Sequence, residues 1–154
     1  MREILFRAKR IDNGEWVEGY YIYHIKRTLC PFGDSVKPED EQHVIMQDGF
    51  SDWNMPRNTV AFDIEPETVC QYTGLKDKNG EKVFIEDIIR CTKGCTHKVI
   101  WMKEYAGTFI GGMPAVYLSG LNKGYAWTGE EEIVGNIFDN PERLKEGGNN
   151  GKTD

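Results

Sequence analysis

Three side chains that bind soft metals, Cys91, Cys95 and His97, fall within the short stretch CTKGCTH. Zinc accepts thiolate and imidazole ligands, but a structural zinc site needs four of them. The fourth would have to come from Cys30, Cys70, His24 or His43. The spacing matches no standard ligand pattern, and small buried cysteines are common. We therefore predict no metal and no cofactor, with Cys91 continuing the alternation of a strand.

Carboxylates and histidines give no positive case for an enzyme. Glu86 and Asp87 are adjacent, and neighbouring strand residues point to opposite faces, so they cannot easily form an acid/base pair. The run Glu130–Glu132 is expected to be solvated. Neither a phosphate-binding loop nor a dinucleotide fingerprint is present, and none of the three histidines has a visible nucleophilic partner. The sequence predicts a non-enzymatic protein.

A basic and aromatic stretch from Arg90 to Lys103 is a candidate nucleic-acid surface. Arg90, Lys98 and Trp101 are its predicted contacts, because aromatic rings stack on bases and cations neutralise phosphates. Further aromatic residues lie in the same half of the chain: Tyr105, Phe109, Tyr117 and Tyr125. The alternative is plain strand alternation, with Val99 and Trp101 in the core. The net charge of −6, from 19 basic and 25 acidic residues, disfavours nucleic acid.

The segment QYTGLKDKNG, residues 71–80, carries the most distinctive pattern. Tyr72, Thr73 and Asp77 are candidate binding residues on an exposed loop. The alternative is architectural: Gly74 and the Asn-Gly pair take positive φ, Asp77 bonds to the amides ahead of it, and Tyr72 packs. The turn-rich composition favours this second interpretation.

Short strands separated by turns predict a mainly β fold with very little helix. We expect strands in ILFRAK, EWVEGYYIY, HVIM, TVAFDI, TVCQYTGL, VFIEDIIRC, HKVIWM, GTFIG, AVYLSG and EEIVGNI. The first two form a hairpin around DNG, which suits a type I′ turn, and NPERLKE forms a turn or two of helix. We predict a hairpin-rich sheet over residues 1–66, a small SH3-like barrel over 67–146 and a flexible tail over 147–154.

The composition is that of a folded chain, with 12% aromatic residues. The start, MREILFRAKR, lacks the apolar core of a signal peptide, and no apolar run reaches the roughly twenty residues that span a bilayer. We expect a cytoplasmic protein with reduced thiols and no membrane partner.

The segment VCQYTGLKDKNGEKVFIEDIIR resembles the signature of the YopX family of phage and prophage proteins. Both ends agree: FRAKRIDNGEWVEGYYI is similar to the family's opening, and EEIVGNIFDNPERL to its closing segment. The chain has Cys70 and Glu86 at two positions where the family usually has glycine.

The resemblance implies a mostly β fold, a phage or prophage origin and no established catalytic residues. With it, we predict a binding or adaptor protein that acts on a host or phage protein in a bacterial cell. The alternatives are a nucleic-acid-binding module that uses Arg90–Lys103 and a self-assembling structural protein, for which edge strands offer an oligomer interface.

Overall fold

The structure is a computed structural model, and it describes residues 3–102, 115–120 and 127–144. The predicted strand GTFIG, the aromatic residues Tyr105, Phe109 and Tyr125, Lys103 and the predicted tail lie outside the described residues. The chain divides into two compact units, residues 1–71 and 72–154. The boundary expected from the sequence lay slightly earlier, after residue 66.

The first unit is an antiparallel sheet of the strands β1 to β4, hydrogen-bonded in the order β4-β3-β2-β1. Their bounds are Phe6–Lys9, Trp16–Ile25, Glu41–Asp48 and Thr59–Asp63. One edge of β1 pairs with β2, and its other edge pairs with the first two residues of β5, which spans Cys70–Lys76. Alternate residues of these strands face one way, as the pleat requires. They form a core of Ala8, Val17, Ile45 and Ile64.

Loops of the first unit are held by their own polar contacts. Arg27 bridges two carboxylates after β2, since its Nε lies 2.8 Å from Asp40 Oδ1 and its Nη1 lies 2.7 Å from Asp34 Oδ2. A 3-10 helix at Pro38–Asp40 lies between β2 and β3 and supplies the Asp40 carboxylate. The β1–β2 hairpin is confirmed, but its turn differs from the expected one. Gly14 alone has positive φ there, whereas a type I′ turn needs two such residues.

The second unit begins with a strand pair, the later part of β5 with β6 at Lys82–Phe84. A four-stranded antiparallel sheet follows, in the order β10-β7-β8-β9. Its strands are β7 Asp87–Arg90, β8 Thr96–Met102, β9 Ala115–Leu118 and β10 Glu132–Asn136. Val83, Ile89 and Val99 form the buried centre of its core. A 3-10 helix at Pro141–Arg143 follows β10, where one or two helical turns were expected.

Mainly β structure is confirmed, but the SH3-like barrel is not. Within the described residues, β10 and β9 are the unjoined edges of an open sheet, so no closed barrel forms. The stretch VFIEDIIRC is two strands instead of the one predicted. Glu86 separates them because it has φ 74°, a left-handed conformation that an extended strand cannot hold. None of the helices among these residues is long and apolar enough to cross a bilayer.

Candidate functional site

The turn between β7 and β8 brings Cys91 and Cys95 side by side. The Cys91 amide donates to the Cys95 carbonyl at 2.9 Å, and the Gly94 amide donates to the Cys91 carbonyl at 2.9 Å. Gly94 has φ 88°, which glycine adopts without the steric cost of a Cβ. The register then continues with Arg90 opposite Thr96 and Ile89 opposite His97. A tight hairpin therefore gathers three residues that are only loosely spaced in the sequence.

The cluster of Cys91, Cys95 and His97, here called the thiol–imidazole cluster, converges on one point. The Cys91 and Cys95 sulfurs are 2.9 Å apart, and Cys95 Sγ lies 2.9 Å from His97 Nε2. All three ligand atoms lie within 4.8 Å of one another. Cys91 and His97 are buried, while Cys95 is exposed. The sequence-based prediction recognised these residues but not their convergence, because it compared the spacing with ligand patterns and not with a hairpin.

A hydrogen bond from Nδ1 fixes the orientation of the His97 ring. Nδ1 lies 2.7 Å from the Ser119 carbonyl oxygen, which can only accept, so Nδ1 carries the proton. In the neutral ring, Nε2 then presents a lone pair to the Cys95 sulfur. The cluster thus combines two thiols with an imidazole nitrogen oriented as a ligand or base.

The two thiols differ in acidity. Burial raises the pKa of Cys91, but hydrogen bonds from the Cys95 thiol and from the Lys93 and Cys95 amides outweigh it and lower the pKa to about 7. The pKa of Cys95 is raised, first by its hydrogen bond to Cys91 and then by burial. The pair therefore loses its first proton at a lower pH than its second, as expected when two thiols share a site.

A cleft in the second unit opens beside the thiol–imidazole cluster. Its lining includes Cys95, His97 and Ser119, with charged side chains at Arg90 and Glu132. Arg90 Nη1 lies 3.2 Å from Glu132 Oε2, so these charges partly neutralise each other. The cleft gives the exposed side of the cluster an approach from solvent.

The predicted binding residues Tyr72, Thr73 and Asp77 are all buried. Tyr72 packs on the Phe84 ring with the centroids 5.6 Å apart. Thr73 Oγ1 donates to the Val83 carbonyl at 2.7 Å. These contacts agree with the alternative interpretation, in which residues 71–80 serve the fold and Tyr72 packs in the interior.

Asp77 organises the turn that follows it. Its Oδ1 accepts from the Asn79 and Glu81 amides, both at 2.9 Å, and its Oδ2 accepts from the Ile133 amide at 3.1 Å. Burial raises the pKa of this carboxyl, but the amides of Ile133, Glu81 and Asn79 more than offset burial and hold it below its usual range. The segment over residues 71–80 therefore has its distinctive pattern because its turn connects β5 and β6 to β10.

The predicted residues Arg90, Lys98 and Trp101 do not share one face. Lys98 and Trp101 are three positions apart on β8, so the pleat directs them to opposite sides. Lys98 Nζ lies 3.4 Å from Glu86 Oε2, as Arg90 lies near Glu132. Trp101 is half exposed on the side of the buried Val99. These ion pairs reduce the positive potential that phosphates would meet.

The run of three glutamates is not uniformly solvated, contrary to expectation. Glu131 is fully buried. Its carboxylate accepts from the Thr128 amide at 2.9 Å and the Gly129 amide at 2.8 Å. Local backbone donors thus satisfy a buried charge, which a run of like charges in the sequence does not indicate.

An aromatic surface on the first unit was missed by the sequence analysis. Phe50 and Trp53 are each 94% exposed, and Met55 is 63% exposed. They lie between β3 and β4 in a loop over residues 49–58, here called the aromatic loop. Sequence patterns assign Phe and Trp to cores, so nothing in the residue types distinguished this loop.

Both units are all-antiparallel β structures, and the described polar residues in their interiors bond mainly to backbone. The YopX protein family model matches residues 5–145. The chain therefore belongs to the YopX family, as the resemblance of its signature predicted. The comparison with curated proteins gives no significant match. Among solved structures, the chain is similar to the crystal structure of protein EF1440 from Enterococcus faecalis. The identity is 20% and the TM-score 0.47, with 94% of this chain and 100% of that chain covered.

Proposed function

We propose that this YopX-family protein is a non-enzymatic binding or adaptor protein that uses its aromatic loop to bind a host or phage protein. The near-complete exposure of Phe50 and Trp53 carries the proposal. Aromatic side chains supply much of the energy of protein interfaces, and large exposed apolar surface on a monomer marks interaction sites. Burial of these two rings on a partner would recover hydrophobic free energy that folding leaves unused.

The aromatic loop is organised before any partner binds. The Gly49 amide donates to the Asn58 carbonyl at 2.7 Å, which closes the loop at its base. Ser51 Oγ donates to the Met55 carbonyl at 2.9 Å, and the Met55 amide donates to the Asp52 carbonyl at 3.1 Å. A loop with a fixed backbone loses less conformational entropy on binding than a floppy one. Its internal bonds thus present Phe50 and Trp53 as a preformed surface.

A non-enzymatic role fits the placement of the second unit's buried carboxylates. Asp77, Asp87 and Glu131 accept hydrogen bonds from backbone amides, for example Phe84 N to Asp87 Oδ2 at 2.8 Å. Acceptors committed in this way hold turns together and are not free to move protons on a substrate. We place the action in the bacterial cytoplasm, where a reducing milieu keeps thiols such as Cys91 and Cys95 from pairing.

The test compares three forms of the full chain in affinity capture from the native host, followed by reconstitution with the purified candidate. Phe50→Ser with Trp53→Ser removes the aromatic loop's rings. The matched control is Tyr20→Ser, which removes an aromatic ring that is 66% exposed on β2. We expect the loop variant to bind at least about 30-fold more weakly, the effect of losing a hot spot of about 2 kcal/mol or more. The control should bind like the wild type.

Equal capture by the wild type and the loop variant would contradict the proposal. Two other outcomes would replace it with the alternatives. A concentration-dependent oligomer that disappears in the loop variant would indicate self-assembly. Co-purifying nucleic acid whose binding weakens steeply with salt would favour the nucleic-acid module.

A further inference from the structure

We infer that the thiol–imidazole cluster is a Zn²⁺ site with three protein ligands, Cys91 Sγ, Cys95 Sγ and His97 Nε2. Two thiolates and one imidazole are a donor set that zinc prefers and that hard cations such as Mg²⁺ do not. The proposal is independent of the aromatic loop, which lies in the other unit. It also reverses the prediction of no metal, which rested on spacing alone.

The distances suit entry of an ion. Tetrahedral zinc, with bonds of about 2.3 Å to sulfur and about 2.0–2.1 Å to nitrogen, separates its ligand atoms by about 3.6–3.8 Å. The two close contacts of the cluster are each 2.9 Å, and the widest separation is within 4.8 Å. Each pair therefore changes by less than about 1.2 Å when the ion is bound. Cys95 is the exposed member and lies in a turn, so its rotation accommodates this change with little cost to the core.

The surroundings of the cluster are those of a metal site. His97 Nδ1 donates to the Ser119 carbonyl, which leaves Nε2 as the ligand atom. Metal-binding histidines usually make such a bond with the second nitrogen, because it fixes the tautomer and the ring orientation. The Lys93 and Cys95 amides donate to Cys91 Sγ and offset its negative charge. The ligand, its orientation and its charge compensation are all present.

Three protein ligands leave one coordination position for water. The cleft lined by Cys95, His97 and Ser119 gives solvent access to that position. Zinc with three protein ligands and a water is an open site, in contrast to the closed four-ligand sites that only stabilise folds. The ion would still tie the β7–β8 turn to β8, so it should also stabilise the second unit.

The test is titration of the reduced, chelator-treated full chain with Co²⁺, whose d–d and sulfur-to-cobalt charge-transfer bands report tetrahedral thiolate ligation. We expect one equivalent to bind, and Zn²⁺ to displace it. Cys95→Ser is the main variant, because that side chain is exposed and its replacement should not disturb folding. Loss of an outer-shell partner weakens metal binding by about 10–100-fold. Cys95→Ser removes a ligand itself, so it should weaken Zn²⁺ binding by more than that. His97→Gln is the second variant.

Cys30→Ser is the matched control, since it removes an exposed thiol outside the cluster. It should keep the spectrum, the stoichiometry and the rise in melting temperature that Zn²⁺ gives the wild type. A wild type without charge-transfer bands would overturn the inference. The same follows if Cys95→Ser and His97→Gln retain the wild-type spectrum and affinity, because other groups would then hold the ion.

Discussion

The two units place their unusual side chains in opposite ways. The first unit exposes apolar rings at Phe50 and Trp53, where folding gains nothing from them. The second unit buries ionisable groups at Asp77, Asp87 and Glu131 and satisfies them with its own backbone amides. Exposed apolar surface calls for a partner, whereas a buried and satisfied charge is explained by the fold. The family signature therefore marks architecture, and we place the binding surface outside it.

The largest expected effect on stability comes from Asp77→Ala. The substitution leaves the amides of Asn79, Glu81 and Ile133 without their acceptor. A hydrogen bond to a charged group contributes about 1.5–3 kcal/mol, and the contributions of the three bonds are not fully additive. We expect the free energy of unfolding to fall by about 3 kcal/mol in urea denaturation followed by circular dichroism. The exposed Glu130→Ala should change it by less than about 0.5 kcal/mol. Equal effects of the two variants would contradict the structural role that we assign to the Asp77 carboxylate.

The Asp77 contribution should depend on pH in one direction. An unfolded Asp has a pKa of about 3.9, and the amide donors hold the folded carboxyl below that. The stability that its charge provides is therefore complete above about pH 4 and is lost as the pH falls through the lower folded pKa. Denaturation at pH 6 and pH 3 should show wild type and Asp77→Asn converging at the lower pH. A difference that grows on acidification would contradict this assignment.

A smaller effect is expected at Glu86, where the family usually has glycine. Glu86 has φ 74°, which costs a residue with a Cβ about 1–2 kcal/mol, whereas glycine adopts it freely. Glu86→Gly and Glu86→Ala both remove the ion pair with Lys98, so their difference isolates the backbone. We expect the glycine variant to be the more stable by about 1 kcal/mol in thermal denaturation. An alanine variant of equal or higher stability would show that the turn has no glycine requirement.

The smallest stability change should follow loss of the aromatic loop's rings. Phe50 and Trp53 are almost fully exposed, so Phe50→Ser with Trp53→Ser removes little packing. We expect the free energy of unfolding to change by less than about 0.5 kcal/mol, the usual range for surface substitutions. A loss of several kcal/mol would show that the loop serves the fold of the first unit. The same urea titration used for Asp77→Ala makes the two regions directly comparable.

Much of the fold follows from the sequence because strand alternation and turn residues are local signals. All nine predicted strands on described residues are present, as is the hairpin around DNG, although VFIEDIIRC divides in two. Two predictions, the closed barrel and the single strand VFIEDIIRC, are not confirmed. The first depends on long-range contacts and the second on an atypical backbone conformation. Barrel closure depends on which edges meet, and local patterns do not encode that. The break at Glu86 was hidden because glutamate stands where glycine would have marked a turn.

The candidate sites were less predictable. The burial of Tyr72 and the hydrogen bonds that backbone amides donate to the Asp77 carboxylate agree with the architectural alternative, because turn chemistry is local. Convergence of Cys91 with His97 required the exact hairpin register, which spacing alone does not give. Exposure of Trp53 contradicts the usual behaviour of its residue type. Sequence reasoning therefore located the residues that build the molecule more readily than the surface we propose for binding.

Photo-crosslinking in the native host would show whether the aromatic loop contacts a partner protein. A photoreactive phenylalanine analogue is placed at Trp53 in the aromatic loop and, in a matched chain, at Glu130, an exposed position of the second unit. We expect a discrete adduct with one host or phage protein from position 53 and none from position 130. Adducts from position 130 alone, or the same adduct from both positions, would contradict the assignment of binding to the aromatic loop.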